Sequence, residues 1–202
     1  MTKIKLYGLS RACDIEAANE LMPDYIGFVF APRSKRYVTP ETATELKGLL
    51  VPDIKAVGVF VNEYPETVAD LLNSGVIDIA QLHGDEDGDY IKRLRQLTDK
   101  PIIKAFRIKI ANDIETAEQS SADYILLDSG AGTGTVFDWS LIKIINRPYF
   151  LAGGLDLQNV RAAIAALHPF AVDVSSGIET NGLKDKNKMA AFVAAVRKEE
   201  RS

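Results

Sequence analysis

One pattern constrains this chain more than any other: a short apolar run followed by an amphipathic stretch, repeated eight times. The apolar runs are Ile4–Leu6, Tyr25–Phe30, Ala56–Val61, Ile77–Leu82, Ile102–Ala105, Tyr124–Leu127, Tyr149–Ala152 and Ala171–Val174. Their length and bounding turn residues predict strands. Between them, helical spacing predicts helices over Cys13–Leu21, Thr67–Leu72, Tyr90–Leu97, Ile114–Gln119, Leu141–Ile145, Val160–Leu167 and Met189–Val196. Thr39-Pro40-Glu41 reads as a capped start, with Pro at the first helical position. Strands joined through helices run parallel. Eight such units favour a closed barrel, α/β in class, over a doubly wound sheet. No linker, low-complexity segment or charge block divides the 202 residues. The expectation is therefore a single (β/α)8 TIM barrel domain over residues 1–202, compact and with short loops.

A barrel of this kind places its chemistry at the carboxyl ends of the strands. The residues that follow each run are Tyr7, Arg36 in the loop after Phe30, Asn62, His83, Lys104 with Arg107, Asp128, Gly153-Gly154 and Ser175-Ser176. Polar, chemically capable groups thus ring one face. Arg36, Lys104 and Arg107 are expected to make part of it positive, which suits an anionic substrate.

The stretch Tyr149–Glu179, YFLAGGLDLQNVRAAIAALHPFAVDVSSGIE, is the most informative. It reads as a βαβ unit, with Asp156 able to cap the helix through Val160, Ile164 and Leu167. Gly153-Gly154 ends its first strand and Ser175-Ser176-Gly177 its second. Two such turns side by side, with a helix N-terminus, aim backbone N–H groups at one spot and suit a phosphate. Taken singly, either turn is equally well explained as a tight connection.

Other residues sort by chemistry. Asp128 ends YILLD ahead of SGAGTGT. A carboxyl there can act as a general acid if burial raises its pKa, or simply cap a turn. SGAGTGT lacks the dinucleotide-binding fingerprint and reads as a flexible lid. Arg36, in APRSKRYVTP, can clasp a carboxylate through its planar fork or sit in solvent as a loop charge. His83, in QLHG, can hydrogen-bond a ligand or its neighbours. Tyr7 ends the first strand; a phenol with a pKa near 10 is a poor base, and its alternative is packing at the barrel top. Cys13 is expected as a small buried residue.

Composition narrows the classes further. A net charge of −4 argues against a nucleic-acid surface. One cysteine permits no internal disulfide, and two histidines without ligand spacing argue against structural zinc. No apolar run reaches membrane length, so no membrane partner and a cytoplasmic location are expected.

At this point the residues resemble a family. GFVFAPRSKRYVTPE, VGVFVNE, AQLHGDE, LLDSGAG with FDWSLI, LAGGLDLQNVRAA and FAVDVSSGIE are similar, in order and spacing, to phosphoribosylanthranilate isomerase of tryptophan biosynthesis. The resemblance spans nearly the whole chain. It implies a (β/α)8 barrel, no metal or organic cofactor, and an Amadori rearrangement of N-(5′-phosphoribosyl)anthranilate. By the same resemblance Asp128 is the general acid that opens the furanose. Arg36 binds the anthranilate carboxylate and Asp173 lies near the sugar; His83, placed at a strand end by the residues themselves, is expected to bind the substrate as well. Gly154, Ser175 and Ser176 match the phosphate cradle, and Gly153, from the turn it shares with Gly154, is expected to join them. The family's base is a cysteine in a lysine-apolar-cysteine-glycine motif; here the motif reads Lys5-Leu6-Tyr7-Gly8, so Tyr7 stands in the base position. Two readings remain open: a working isomerase, and a barrel of the same family that binds the phosphosugar but is catalytically impaired. An isomerase of a related aminoaldose phosphate is a third. The anionic phosphosugar is the expected partner, and the chain is expected as a monomer, with a dimer open.

Overall fold

A computed structural model of the chain describes residues 1–128, 142 and 145–199. Eight parallel strands close on one another in sequence order: β1 (Lys3–Tyr7), β2 (Tyr25–Val29), β3 (Lys55–Phe60), β4 (Ile79–Leu82), β5 (Ile102–Arg107), β6 (Tyr124–Asp128), β7 (Tyr149–Ala152) and β8 (Ala171–Val174). Closure comes from β8 pairing back onto β1, with Lys3 opposite Ala171 and Leu6 opposite Val174. The eight expected strands are all present. The fourth begins at Ile79 rather than Ile77, because Asp78 turns aside: its N–H donates to the Ala56 carbonyl and its carboxylate accepts from the Ala56 N–H.

Helices follow the strands: α1 (Ala12–Leu21), α2 (Pro40–Leu49), α3 (Pro65–Asn73), α4 (Gly88–Arg95), α5 (Ala111–Glu118), α6 (Val160–Leu167) and α7 (Lys186–Glu199). The capped start at α2 is as expected, with Thr39 accepting from the Thr42 N–H at 3.2 Å. Of the helix expected from Leu141, only Ile142 and Ile145 are described; the Ile145 N–H donates to the Ile142 carbonyl. The lid expected at SGAGTGT lies outside the described residues. Asp156 does not cap α6 itself. Its carboxylate accepts from the N–H groups of Gln158 and Asn159, one turn ahead of the helix.

Side chains on a strand alternate between faces. One set packs under the helices, where Ile4, Leu6, Ile26, Phe28, Ala56 and Val172 join Ile15, Leu46 and Phe192. The other set fills the barrel: Tyr25, Val57, Ile79, Ile103, Leu126, Phe150 and Ala171. Phe150 meets Tyr25, Tyr124 and Phe170 with ring centroids 5.4, 5.9 and 5.7 Å away. Higher in the same inward set stand Lys5, Gln81 and Asp173, all buried polar groups. The apolar plug thus occupies the amino-terminal half of the interior and leaves the carboxyl-terminal half polar.

After β8 a short 3₁₀ turn at Ser176–Ile178 leads into a hairpin of β9 (Glu179–Thr180) and β10 (Leu183–Lys184). Its turn is Asn181-Gly182, with φ of 53° and 80°. Both residues are in the left-handed region that a tight two-residue hairpin turn needs, and Asn-Gly is the sequence that favours it.

Candidate active site

Tyr7, Arg36, His83, Asp128, Gly153, Gly154, Asp173, Ser175 and Ser176 all line one cavity of about 320 Å³ at the carboxyl ends of the strands. They come from six different strand ends or loops, and the barrel alone brings them together. A larger cavity of about 880 Å³ opens beside it over β4–β6 and shares His83 and Asp128.

The β7 and β8 turns meet closely. Gly153 and Gly154 hold φ of 93° and 64°. A Cβ on Gly177 would lie 2.2 Å from the Leu155 carbonyl oxygen, so only glycine lets the two turns touch. Ser175 Oγ is buried there and makes no hydrogen bond among the described residues; Asp173 Oδ1 is in the same condition. Buried polar atoms are normally paired, so these two oxygens point to a polar ligand.

Arg36 reaches the cavity across β1. Gly8, at φ 74°, makes room: a Cβ there would come 2.4 Å from Arg36 Cδ. The guanidinium is already held along one edge, with Nε and Nη2 donating to Glu179 at 2.7 and 2.9 Å. Glu179 in turn accepts from Lys184 at 2.5 Å, and Lys184 also donates to the Ser175 carbonyl. Burial alone would raise the Glu179 carboxyl, but the bonds from Arg36 and Lys184 hold it below the usual carboxylate range. The hydrogen bond to Glu179 raises Arg36 further. One edge of the fork remains for a ligand carboxylate.

The expected positive face is weaker than charge counting suggests. Lys104 is buried against Glu86 at 2.9 Å and donates to the Gly84 carbonyl. Glu86 also accepts from the Asn62 and Gly84 N–H groups, so this cluster ties the β3 and β4 loops together. Arg107 is exposed at the larger cavity. Asn62 accepts from the Asp85 N–H and serves the loop.

Lys5 is fully buried. Its Nζ donates to Asp173 Oδ2 at 2.7 Å and to Gln81 Oε1 at 2.6 Å. Burial pulls the Lys5 ammonium down and the Asp173 carboxyl up, each opposed by the other's charge. Tyr7 stands above this pair, with Lys5 Nζ 5.1 Å from its ring centroid. Burial first, and the Asp173 charge second, push its phenol up to about 12. His83 Nδ1 lies 3.0 Å from Gln81 Nε2, and its Nε2 lies 3.6 Å from Asp128 Oδ2.

From sequence Lys5, two residues before Tyr7 on the same strand, faces the same side and is open as a helper of the base position, whereas Gln81 and Glu179 have no expected role. The period of two was the signal for the first pair: residues two before Tyr7 and His83 share their inward face. Asn181-Gly182, a dipeptide that favours a two-residue hairpin turn, is the sequence signal for the hairpin that presents Glu179 and Lys184. Cys13 is a correction. It is exposed on α1, whose barrel-facing side is taken by Asp14, Ile15, Ala17 and Ala18. Among the described residues, no group of three or more His, Cys, Asp or Glu could hold a metal ion, and no helix is long and apolar enough to cross a membrane.

Residues 4–195 match the family model of N-(5′-phosphoribosyl)anthranilate isomerase. N-(5′-phosphoribosyl)anthranilate isomerase of Thermoanaerobacter sp. strain X514 is 45% identical over 204 residues, covering 98% of each chain. The crystal structure of phosphoribosyl anthranilate isomerase from Thermotoga maritima superposes with a TM-score of 0.91 at 37% identity, covering 98% of this chain and 100% of that one. A structure of this kind of enzyme in complex with reduced 1-(o-carboxyphenylamino)-1-deoxyribulose 5-phosphate gives a TM-score of 0.88 at 37% identity, with 98% and 100% covered.

Proposed function

The chain belongs to the N-(5′-phosphoribosyl)anthranilate isomerase family, an enzyme of tryptophan biosynthesis, and from that premise we propose how its own residues serve the reaction. The substrate is N-(5′-phosphoribosyl)anthranilate and the product 1-(2-carboxyphenylamino)-1-deoxyribulose 5-phosphate. Asp128 protonates the furanose ring oxygen, and the ring opens to a Schiff base. A proton then leaves carbon 2, and the enolamine becomes the ketose. The rearrangement oxidises one carbon at the expense of its neighbour, so it balances without an external oxidant or cofactor. Arg36 takes the anthranilate carboxylate on the edge that Glu179 leaves open. Ser175, Ser176, Gly153 and Gly154 hold the phosphate, while Asp173 lies near the sugar and His83 binds the substrate. The domain is read as acting in the cytoplasm as a monomer, with a dimer as the alternative.

The observation that carries this reading is the pair of buried, unpartnered oxygens, Ser175 Oγ and Asp173 Oδ1, in the cavity that also holds Asp128 and Arg36. One observation favours the second reading, a binding barrel that turns over feebly. Tyr7 occupies the base position with its phenol pushed up to about 12.

A coupled assay with phosphoribosylanthranilate separates the two. Asp128→Asn should abolish turnover while leaving binding of a product analogue nearly intact, because an amide cannot surrender a proton. Turnover within about tenfold of the parent would dismiss Asp128 as the acid, since such catalysis is worth on the order of 10²–10⁴. A parent that binds the analogue and turns nothing over establishes the second reading.

A further inference from the structure

A row of side chains crosses the barrel from the carboxylate on β8 to the carboxylate on β6. It runs from Asp173 to Lys5 at 2.7 Å, to Gln81 at 2.6 Å, to His83 at 3.0 Å and on to Asp128 at 3.6 Å. Gln81 is completely buried and has no part in the reaction as derived above.

The direction of each bond follows from the donors available. An ammonium can only donate. If the shared proton instead sits on Asp173, the single lone pair of the Lys5 amine is taken up by it, and the remaining N–H groups still donate. In both states Lys5 therefore donates to Gln81 Oε1. That orients the amide, whose Nε2 then faces His83. An amide nitrogen accepts nothing, so His83 Nδ1 must accept from it. The neutral imidazole carries one proton, which is left on Nε2, the nitrogen that faces Asp128.

We infer that Gln81 is a positioning residue: anchored by Lys5, it holds His83 as the Nε2–H tautomer, so that the ring offers Asp128 an N–H and not a lone pair. The inference rests on the reading of Asp128 as the acid. A lone pair at that place would compete for the proton Asp128 must deliver, and would repel the carboxylate left behind. An N–H leaves the proton where the reaction needs it and then stabilises the anion. The separation of 3.6 Å is slightly longer than a hydrogen bond, as is common at catalytic sites before substrate binds.

The test begins on the protein labelled with ¹⁵N-histidine, above the ordinary imidazole value of about 6.5. His168→Gln assigns the signals, since the chain has two histidines. His83 is expected with Nε2 protonated and Nδ1 bare. In Gln81→Glu a carboxylate accepts from both Lys5 and Nδ1–H, so the tautomer should reverse. There kcat should fall about tenfold or more, as the wrong tautomer at a catalytic histidine is costly. Affinity for a product analogue should stay within about threefold if binding is untouched. Gln81→Met, similar in size and without either bond, is the second variant; a mixture of tautomers is expected. The inference is overturned if the parent carries its proton on Nδ1, if neither folded variant changes the tautomer, or if the tautomer reverses and kcat does not move. A parent with the expected tautomer but no turnover sinks the isomerase reading and still supports the orientation of His83 by Gln81.

Discussion

At the scale of single residues, Tyr7 poses the sharpest question. Base work near neutral pH needs a group that gives up its proton there. A free phenol near 10 is already unsuited, and burial beside Asp173 takes this one to about 12. A thiol starts at about 8.5. It is also smaller, and would leave room over Lys5 that the ring now covers at 5.1 Å. Tyr7→Cys should therefore raise kcat/KM by about two orders of magnitude, the low end of what a positioned base contributes. The measurement is steady-state kinetics on folded protein at equal concentration, with a pH profile for each form. A fast parent that gains nothing from the substitution would mean that another residue is the base.

At the scale of elements, the hairpin β9–β10 holds the guanidinium of Arg36 in place through Glu179. That ion cluster ties the end of β8 to the loop after β2, and it carries a pH signature. The Glu179 carboxyl lies below its ordinary value because Arg36 and Lys184 bind its charged form. Its contribution to stability is therefore complete above the unfolded value of about 4.3 and is lost as pH falls through the lowered folded value. Glu179→Gln should be less stable than the parent at pH 7, and the gap should close in acid. Denaturant midpoints measured from pH 7 downward check this; a gap independent of pH would mean that the charge is not what matters. The same variant should raise KM for the substrate, because Arg36 loses the partner that orients its free edge.

For the whole molecule, the barrel closes over an apolar plug, and a larger apolar core lies between the strands and the helices. Phe150 is fully buried and touches three other rings. Phe150→Ala should cost about 3–5 kcal/mol, the usual range for emptying an aromatic site in a packed core. It lies on the same inward face as Asp173 and Gln81, but on the amino-terminal side of them. The folded variant should accordingly keep KM close to the parent's. Equilibrium unfolding and kinetics at a temperature where the variant is folded test the two halves separately. A loss below about 1 kcal/mol would mean that the interior relaxes to fill the space.

The sequence by itself determined the fold. Eight alternations of apolar run and amphipathic stretch favour a closed barrel over a doubly wound sheet, and the residues at the run ends were legible because strand direction is set by the βαβ order. Helix starts at Thr39 and the glycine turns after β7 and β8 were legible as well, since they depend on local backbone chemistry. Tertiary structure alone decided which charges meet. Arg36 pairs with Glu179, 143 residues away, and Lys5 with Asp173, 168 residues away. Lys104 spends its charge on Glu86, and Cys13 turns outward. Ion pairing depends on distance and on the loss of water, and neither is written in the order of residues until the barrel has closed.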